Sequence, residues 1–283
     1  LARIASSIRA RRLERGGLEL ESIEVSIQFA NPETRTGSLQ DIIPKEPLEM
    51  HSTVAELMIF ANHWIARYCL DAFPECSCLR RHPAPRSEFF EELKRCASSK
   101  GFSMSVDSNR ALAASLEACN DANDPEVNKI LRQLATRAMT NALYFSSGAE
   151  DLTRDQFGHY GLALNLYTHF TSPIRRYADI VVHRVLMAAL QKSAHCGALE
   201  VANGQATAAT AARSELYEHE ELAAICRHMN ERHWAAQQAQ RASIELFQAL
   251  FFRDRPADDA CRLAEGIICQ LRGTNGFSVI VPR

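Results

Sequence analysis

The stretch from Thr171 to Ala189 constrains the fold of this chain more than any other. Thr171 or Ser172 can cap a helix, and Pro173 suits its first turn, where a missing N–H costs nothing. Ile174, Tyr177, Ala178, Val181, Val182, Val185, Leu186 and Ala189 then recur at three- and four-residue spacing and predict one apolar face. Such a face has to be buried against other elements, so the chain needs a packed interior around this helix. Arg175, Arg176, Asp179, His183 and Arg184 occupy the rest of it.

The same reasoning places further helices. Residues 1–15 carry Arg3, Arg9, Arg11, Arg12 and Arg15 beside Leu1, Ile4 and Ile8, which predicts a surface helix with a solvated basic face, a nucleic-acid contact being the other reading. Gly16-Gly17 ends it. A long helix is expected over 49–73, its apolar face formed by Val54, Leu57, Met58, Ala61, Ile65, Tyr68 and Cys69. Others are expected over 87–100, ended by Gly101, and from Ala111 to Cys119. Asp124-Pro125 opens another that runs to about Phe145, and a long one runs from Glu215 to Phe252 before Pro256.

Between these the pattern changes. Leu18 to Phe29 alternates and predicts two short strands with a break near Glu21-Ser22. Pro32 and Gly37 mark a turn, with a returning strand over 38–45. Leu79 to Pro85, with two prolines, reads as an extended connection. Residues 193–214 are poor in large apolar groups and read as a loop or insertion. The tail from Arg262 to Val281 alternates again around a turn at Gly273 to Gly276. The expected fold class is therefore α/β, of the α+β kind, dominated by helices with an antiparallel strand section.

A formal charge of −2 excludes a uniformly basic nucleic-acid binder but leaves room for a local basic channel. Nine cysteines cannot all pair within the chain, and Cys76-Ser77-Cys78 lacks the spacing and second ligand pair of a structural zinc site. Reduced thiols of an intracellular protein are the expectation. No apolar run reaches the ~18 residues of a membrane span. The chain starts at Leu1 and stops in mid-pattern, as a piece of a longer protein does.

The residues with chemistry to offer surround the opening helix. His159-Tyr160-Gly161-Leu162 is followed by Tyr167, His169, Phe170, Thr171, Ser172, Pro173, Arg175 and Arg176. A helix N-terminus attracts anions, and arginines placed there work against the helix dipole unless an anion arrives. Two planar guanidinium groups suit phosphate oxygens, and Tyr160, Tyr167 and Phe170 offer rings for stacking on bases. The residues equally allow Arg175 or Arg176 to pair with Asp179 on an exposed helix surface. His159, His169 and His183 fit no local metal-ligand spacing.

His-Tyr-Gly-Leu at 159–162, the run from Tyr167 to Asp179, and His183-Arg184 together resemble the signature in the carboxyl half of the catalytic domain of the ribonuclease II (RNB) family. Glu56-Leu57-Met58, Ala61-Asn62, the segment Leu79 to Pro85, Leu134 to Met139, Ala142 to Phe145 and Ala239 to Ser243 resemble the eukaryotic, exosome-associated branch. The resemblance implies a partial RNB domain over residues 1–255 and the start of an OB-fold RNA-binding domain over 256–283. It implies a 3′→5′ hydrolytic exoribonuclease of single-stranded RNA that releases 5′-nucleoside monophosphates. RNA processing and decay, exosome core subunits as partners, no membrane, and residence in nucleus or cytoplasm follow from the same likeness.

Carried over by position, Arg175 is the catalytic arginine that meets charge building on the phosphate. Tyr167, His169, Thr171, Ser172, Pro173, Arg176 and Glu56 are the RNA-binding residues. Magnesium is the implied cofactor, with its aspartate ligands outside this chain, so these 283 residues alone are expected to be inactive. Ala55 stands where the family has the first of two glutamates, and Leu20 stands where bacterial members clamp the terminal base with phenylalanine. The alternative reading is a catalytically inactive RNB-fold protein that binds RNA.

Overall fold

The computed structural model of the chain describes residues 1–19, 25–31, 33–34, 36–44, 48–121, 126–149, 151–199, 216–253, 255–256, 258–259, 262–263, 265–272 and 276–280. Along the chain lie α1 (Ala2–Glu14), β1 (Val25–Asn31), β2 (Thr36–Pro44), α2 (Glu49–Ala72), β3 (Cys78–Arg81), α3 (Glu91–Ser99), α4 (Asn109–Ala118) and α5 (Glu126–Ala138). β4 (Leu143–Ser146), α6 (Tyr177–Leu199), α7 (His219–Arg253), β5 (Ile267–Arg272) and β6 (Gly276–Ile280) follow. The architecture is helix-rich with small antiparallel sheets, each of two strands: β1–β2, β3–β4 and β5–β6. The chain divides into two compact units, one of residues 1–18, 49–84 and 140–233, the other of residues 19–48, 85–139 and 234–283.

In the first unit, α6 supplies the core. Ala178, Val181, Val182 and Val185 pack with Cys69, Cys78, Tyr144, Leu222 and Cys226. Each such valine contributes roughly 1.5–3 kcal/mol by leaving water. A second cluster joins Ala66, Leu70, Leu79, Phe145 and Phe157. The helix begins later than its capping residues predict: Pro173 to Arg175 form a turn, α6 starts at Tyr177, and Ile174 is 97% exposed. Asp179 takes the Ser172 N–H and so turns the preceding residues off the helix axis. The helix also continues through residues 193–199, where small residues suggest a loop, because alanine favours helix without any packing. The remainder of that predicted loop, 200–214, lies outside the described residues, as do Glu215 and Leu20.

Two other expectations change for tertiary reasons. On α2 the buried positions are Thr53, Glu56, Asn62, Ala66, Cys69 and Leu70, while Val54 and Tyr68 of the predicted apolar face are exposed. Polar partners elsewhere in the unit draw Glu56 and Asn62 inward, as described below. The connection from Leu79 begins as strand β3, which pairs with β4 in the register Leu79↔Phe145 and Arg80↔Tyr144. The helix predicted to reach Phe145 therefore ends at Ala138, and Leu143–Ser146 is strand. Leu18 is buried but belongs to no strand; its N–H donates to the Gly161 carbonyl at 2.9 Å.

In the second unit, Phe90, Leu93, Leu112, Leu116, Ile130, Leu131 and Leu134 of the 87–138 segment are buried. Ser108 caps α4 by accepting the Ala111 N–H, and Gly101 closes the segment after α3 at φ 80°, a conformation that favours glycine. The β1–β2 hairpin returns as predicted, with Gly37 inside β2 rather than in the turn. Asp124-Pro125 and the turn at 273–275 lie outside the described residues. Phe29 meets Phe247 of α7 edge to face at 5.8 Å. No described helix is long and apolar enough to cross a membrane.

Candidate functional site

The segment from Tyr167 to Arg176 crosses the first unit between β3, α2 and α6, and each element holds one part of it. Arg80 N–H of β3 donates to the Tyr167 carbonyl at 2.8 Å, and the Thr168 hydroxyl donates to the Cys78 carbonyl at 2.7 Å. Asn62 of α2 uses both ends of its amide: Nδ2 donates to the Tyr167 hydroxyl at 3.0 Å, and Oδ1 accepts the Phe170 N–H at 2.9 Å. His183 of α6 bonds the Phe170 carbonyl through Nε2 at 2.8 Å. The segment is irregular, yet these bonds tie it to three elements, so it can keep its shape without regular secondary structure.

The turn that follows is clamped from α6. Asp179 is fully buried; its Oδ1 accepts the Ser172 N–H at 2.7 Å and Arg176 Nη2 at 2.8 Å, and its Oδ2 accepts Arg176 Nε at 2.7 Å. The choice left open by the sequence is thus divided between the two arginines. Arg176 pairs with Asp179, whereas Arg175 is exposed and has no carboxylate partner among the described residues. Ser172 and Pro173 form the turn that carries it. The Thr171 hydroxyl is buried with no partner.

Beside this turn lies a chain of rings meeting edge to face. His82 and His159 are 5.0 Å apart, His159 and Tyr167 5.2 Å, Tyr167 and His169 5.5 Å, and His169 and Tyr144 5.7 Å. Gly161 allows the close approach of its N–H to His82 Nδ1 at 3.1 Å, since a Cβ there would lie 3.2 Å from the same nitrogen. The Arg80 guanidinium sits 4.6 Å from the Tyr144 ring centroid, and its Nη1 is buried without a partner. Burial first, then the nearby charges of Arg80, Arg176, His159 and Arg175, push the His169 pKa down to about 2. Burial, then His82 and Arg80, push His159 down to about 3.

These imidazoles are neutral at ordinary pH. Burial raises the Tyr144 pKa, so its hydroxyl keeps its proton, and it shares a hydrogen bond of 2.6 Å with His169 Nδ1. Three arginines thus act on one neutral histidine in a region of low polarity. Such a place favours an anion and disfavours a metal cation. Among the described residues no group of three His, Cys, Asp or Glu converges as a metal site, and Asp179 is already committed to Arg176. The residues present do not fit magnesium.

The remaining predicted residues take buried positions. Tyr167 is buried with its hydroxyl bound by Asn62. Glu56 is 3% exposed and pairs bidentately with Arg12 of α1 through bonds of 3.0 and 2.9 Å, so Arg12 is not part of a solvated face. Sequence reasoning assigned no role to Asn62, Arg80, Tyr144 or Asp179 as a clamp. A polar residue within an apolar helical repeat was the available signal for Asn62.

The RNB domain matches residues 1–192, a span that contains α1, α2, β3, β4, the clamped turn and the start of α6. The chain belongs to the RNB family. It is 41% identical over 280 residues to exosome complex exonuclease RRP44 homolog A of Arabidopsis thaliana, covering 99% of this chain and 27% of that protein. It is 39% identical over 255 residues to the human exosome complex exonuclease RRP44, covering 90% of this chain and 24% of that protein. The chain therefore spans about a quarter of the length of these RNB relatives. In fold it is similar to Mycoplasma genitalium RNase R in complex with ribose methylated single-stranded RNA, with a TM-score of 0.71 at 20% identity over 97% of this chain and 38% of that one. It is also similar to yeast Ssd1, a pseudonuclease, with a TM-score of 0.55 at 24% identity over 73% of this chain and 22% of that one.

Proposed function

We propose that the chain forms the RNA-phosphate side of a 3′→5′ hydrolytic exoribonuclease that acts on single-stranded RNA and releases 5′-nucleoside monophosphates. The observation that carries this reading is Arg175, exposed and without a carboxylate partner among the described residues, on a turn that Asp179 and Arg176 hold still. An unpaired guanidinium on a fixed turn is ready for charge that grows on phosphate oxygens, and it needs no reorganisation when that charge appears. Ser172, Pro173, Thr171 and Arg176 frame this group or touch phosphate. His169 can hydrogen-bond the RNA through Nε2. Tyr167 and Glu56 act from buried positions, through Asn62 and Arg12 respectively.

Divalent-metal chemistry in the whole protein, magnesium being the ion proposed, would come from ligands outside these 283 residues, which by themselves bind RNA without cutting it. Membership in RNA processing and decay, association with exosome core subunits and an intracellular place in nucleus or cytoplasm are proposed on the likeness to RRP44 proteins. The β5–β6 hairpin is proposed as the opening of an OB-fold RNA-binding domain after a partial RNB domain over residues 1–255.

The test is Arg175→Ala in the intact protein, assayed on a labelled single-stranded oligoribonucleotide. Turnover should fall by orders of magnitude while affinity stays within about tenfold, because the group acts on the transition state. Equal losses in turnover and affinity would reduce Arg175 to a phosphate anchor. Binding by the intact protein with no cleavage at any magnesium concentration would establish the inactive RNA-binding alternative instead.

A further inference from the structure

We infer that the cleft between α1 and α2 is a second contact for single-stranded nucleic acid, separate from the Arg175 turn. This rests on the reading of the chain as an RNA binder and assigns it an additional subsite. Arg3, Arg11 and Arg15 fall at four- and eight-residue intervals, so they lie along one stripe of α1 and its C-terminal cap. All three are exposed and have no carboxylate partner among the described residues. Ser7 fills the remaining position in the stripe. Successive groups four residues apart rise ~6 Å along a helix, which gives an elongated row of cations rather than a point site.

Beside the row opens a cleft of about 230 Å³ lined by Arg11, Arg15, Ile59, Phe60, His63 and Trp64. Phe60 is 45% and Trp64 47% exposed, although both lie in a helix whose other face is buried. Their ring centroids are 6.1 Å apart, and the Arg67 guanidinium lies 5.6 Å from the Trp64 ring. His63 cannot swing away, since its Nδ1 bonds the Leu166 carbonyl at 2.8 Å.

The floor is the Arg12–Glu56 pair. Its two charges cancel each other and leave the outer arginines uncompensated, and it ties α1 to α2. A basic row flanked by an exposed aromatic ledge is the chemistry that tracks a phosphate backbone while stacking bases. A protein partner would call for a mixed-charge rim, whereas this face of α1 carries three exposed arginines against the single acidic residue Glu14.

The experiment uses the 283-residue chain carrying Trp234→Phe, so that Trp64 is the only indole, and a 12-nucleotide oligouridine. Titration should quench Trp64 emission, and Trp64→Ala should weaken binding at least about fivefold, the low end of base–aromatic stacking. Arg3→Gln, Arg11→Gln and Arg15→Gln together should flatten the plot of log affinity against log salt by about 0.7 for each phosphate that is no longer neutralised. Because the three arginines are exposed, the melting temperature of their combined variant should barely move.

Binding with unchanged Trp64 emission and an unchanged salt slope would overturn the subsite, leave the RNA-binding reading intact, and turn the cleft over to a protein partner. No binding of the oligouridine at all would overturn both.

Discussion

Asp179 holds Arg176 by two hydrogen bonds of 2.7 and 2.8 Å while also capping the Ser172 N–H, so one buried carboxylate sets the position of the turn that carries Arg175. Asp179→Asn should cost about 3 kcal/mol, the low end for a broken buried pair, since Arg176 is 21% exposed and can reach water. Urea denaturation checks the loss. In the intact protein the same change should lower turnover more than affinity, because Arg175 loses its fixed place. A stable Asp179→Asn protein with unaltered turnover would remove Asp179 from that role.

Arg12 and Glu56, at 10% and 3% exposure, form a pair between α1 and α2. Glu56→Gln alone should destabilise by about 3 kcal/mol, because it strands a guanidinium away from water. Arg12→Met combined with Glu56→Leu should recover most of that loss. If the double replacement proves as unstable as the single, the strength of the pair itself, rather than the stranded charge, governs this helix contact.

Asn62→Ala removes the acceptor of the Phe170 N–H and the donor to the Tyr167 hydroxyl. A cost of about 1–3 kcal/mol is expected for the orphaned backbone group. Hydrogen exchange at Phe170 should speed up more than exchange in the middle of α6. Uniform acceleration across both would mean that Asn62 stabilises the whole unit rather than the segment.

His159 and His169 have folded pKa values near 3 and 2, below the unfolded value of about 6.5. Between these limits the unfolded chain binds more protons, so stability rises with pH and is lost as pH falls below about 6.5. Each imidazole should contribute up to about 1.4 kcal/mol per pH unit in that window. His169→Gln should therefore make the stability profile from pH 7 to 4 measurably shallower. An unaltered slope would show that His169 does not titrate with folding.

The helices, the β1–β2 return and the terminal hairpin were legible because periodicity and turn residues act locally. The run from Tyr167 to Asp179 also carried its family and its candidate phosphate arginine in plain sequence. What the sequence left open were choices made by partners distant along the chain. Arg176 rather than Arg175 pairs with Asp179 because the Ser172 turn brings only that guanidinium to a carboxylate already buried by α6.

Asn62 and Glu56 overturn the apolar face read for α2 because their matches lie 105 residues downstream, in Tyr167, and 44 residues upstream, in Arg12. Arg80 gave no local sign of chemistry; only the β3–β4 pairing and the crossing of Tyr167 to His169 bury it beside neutral histidines. Local propensity thus determined which elements form. Burial of polar groups, which must find partners wherever the fold supplies them, decided which faces turn inward and which arginine stays free.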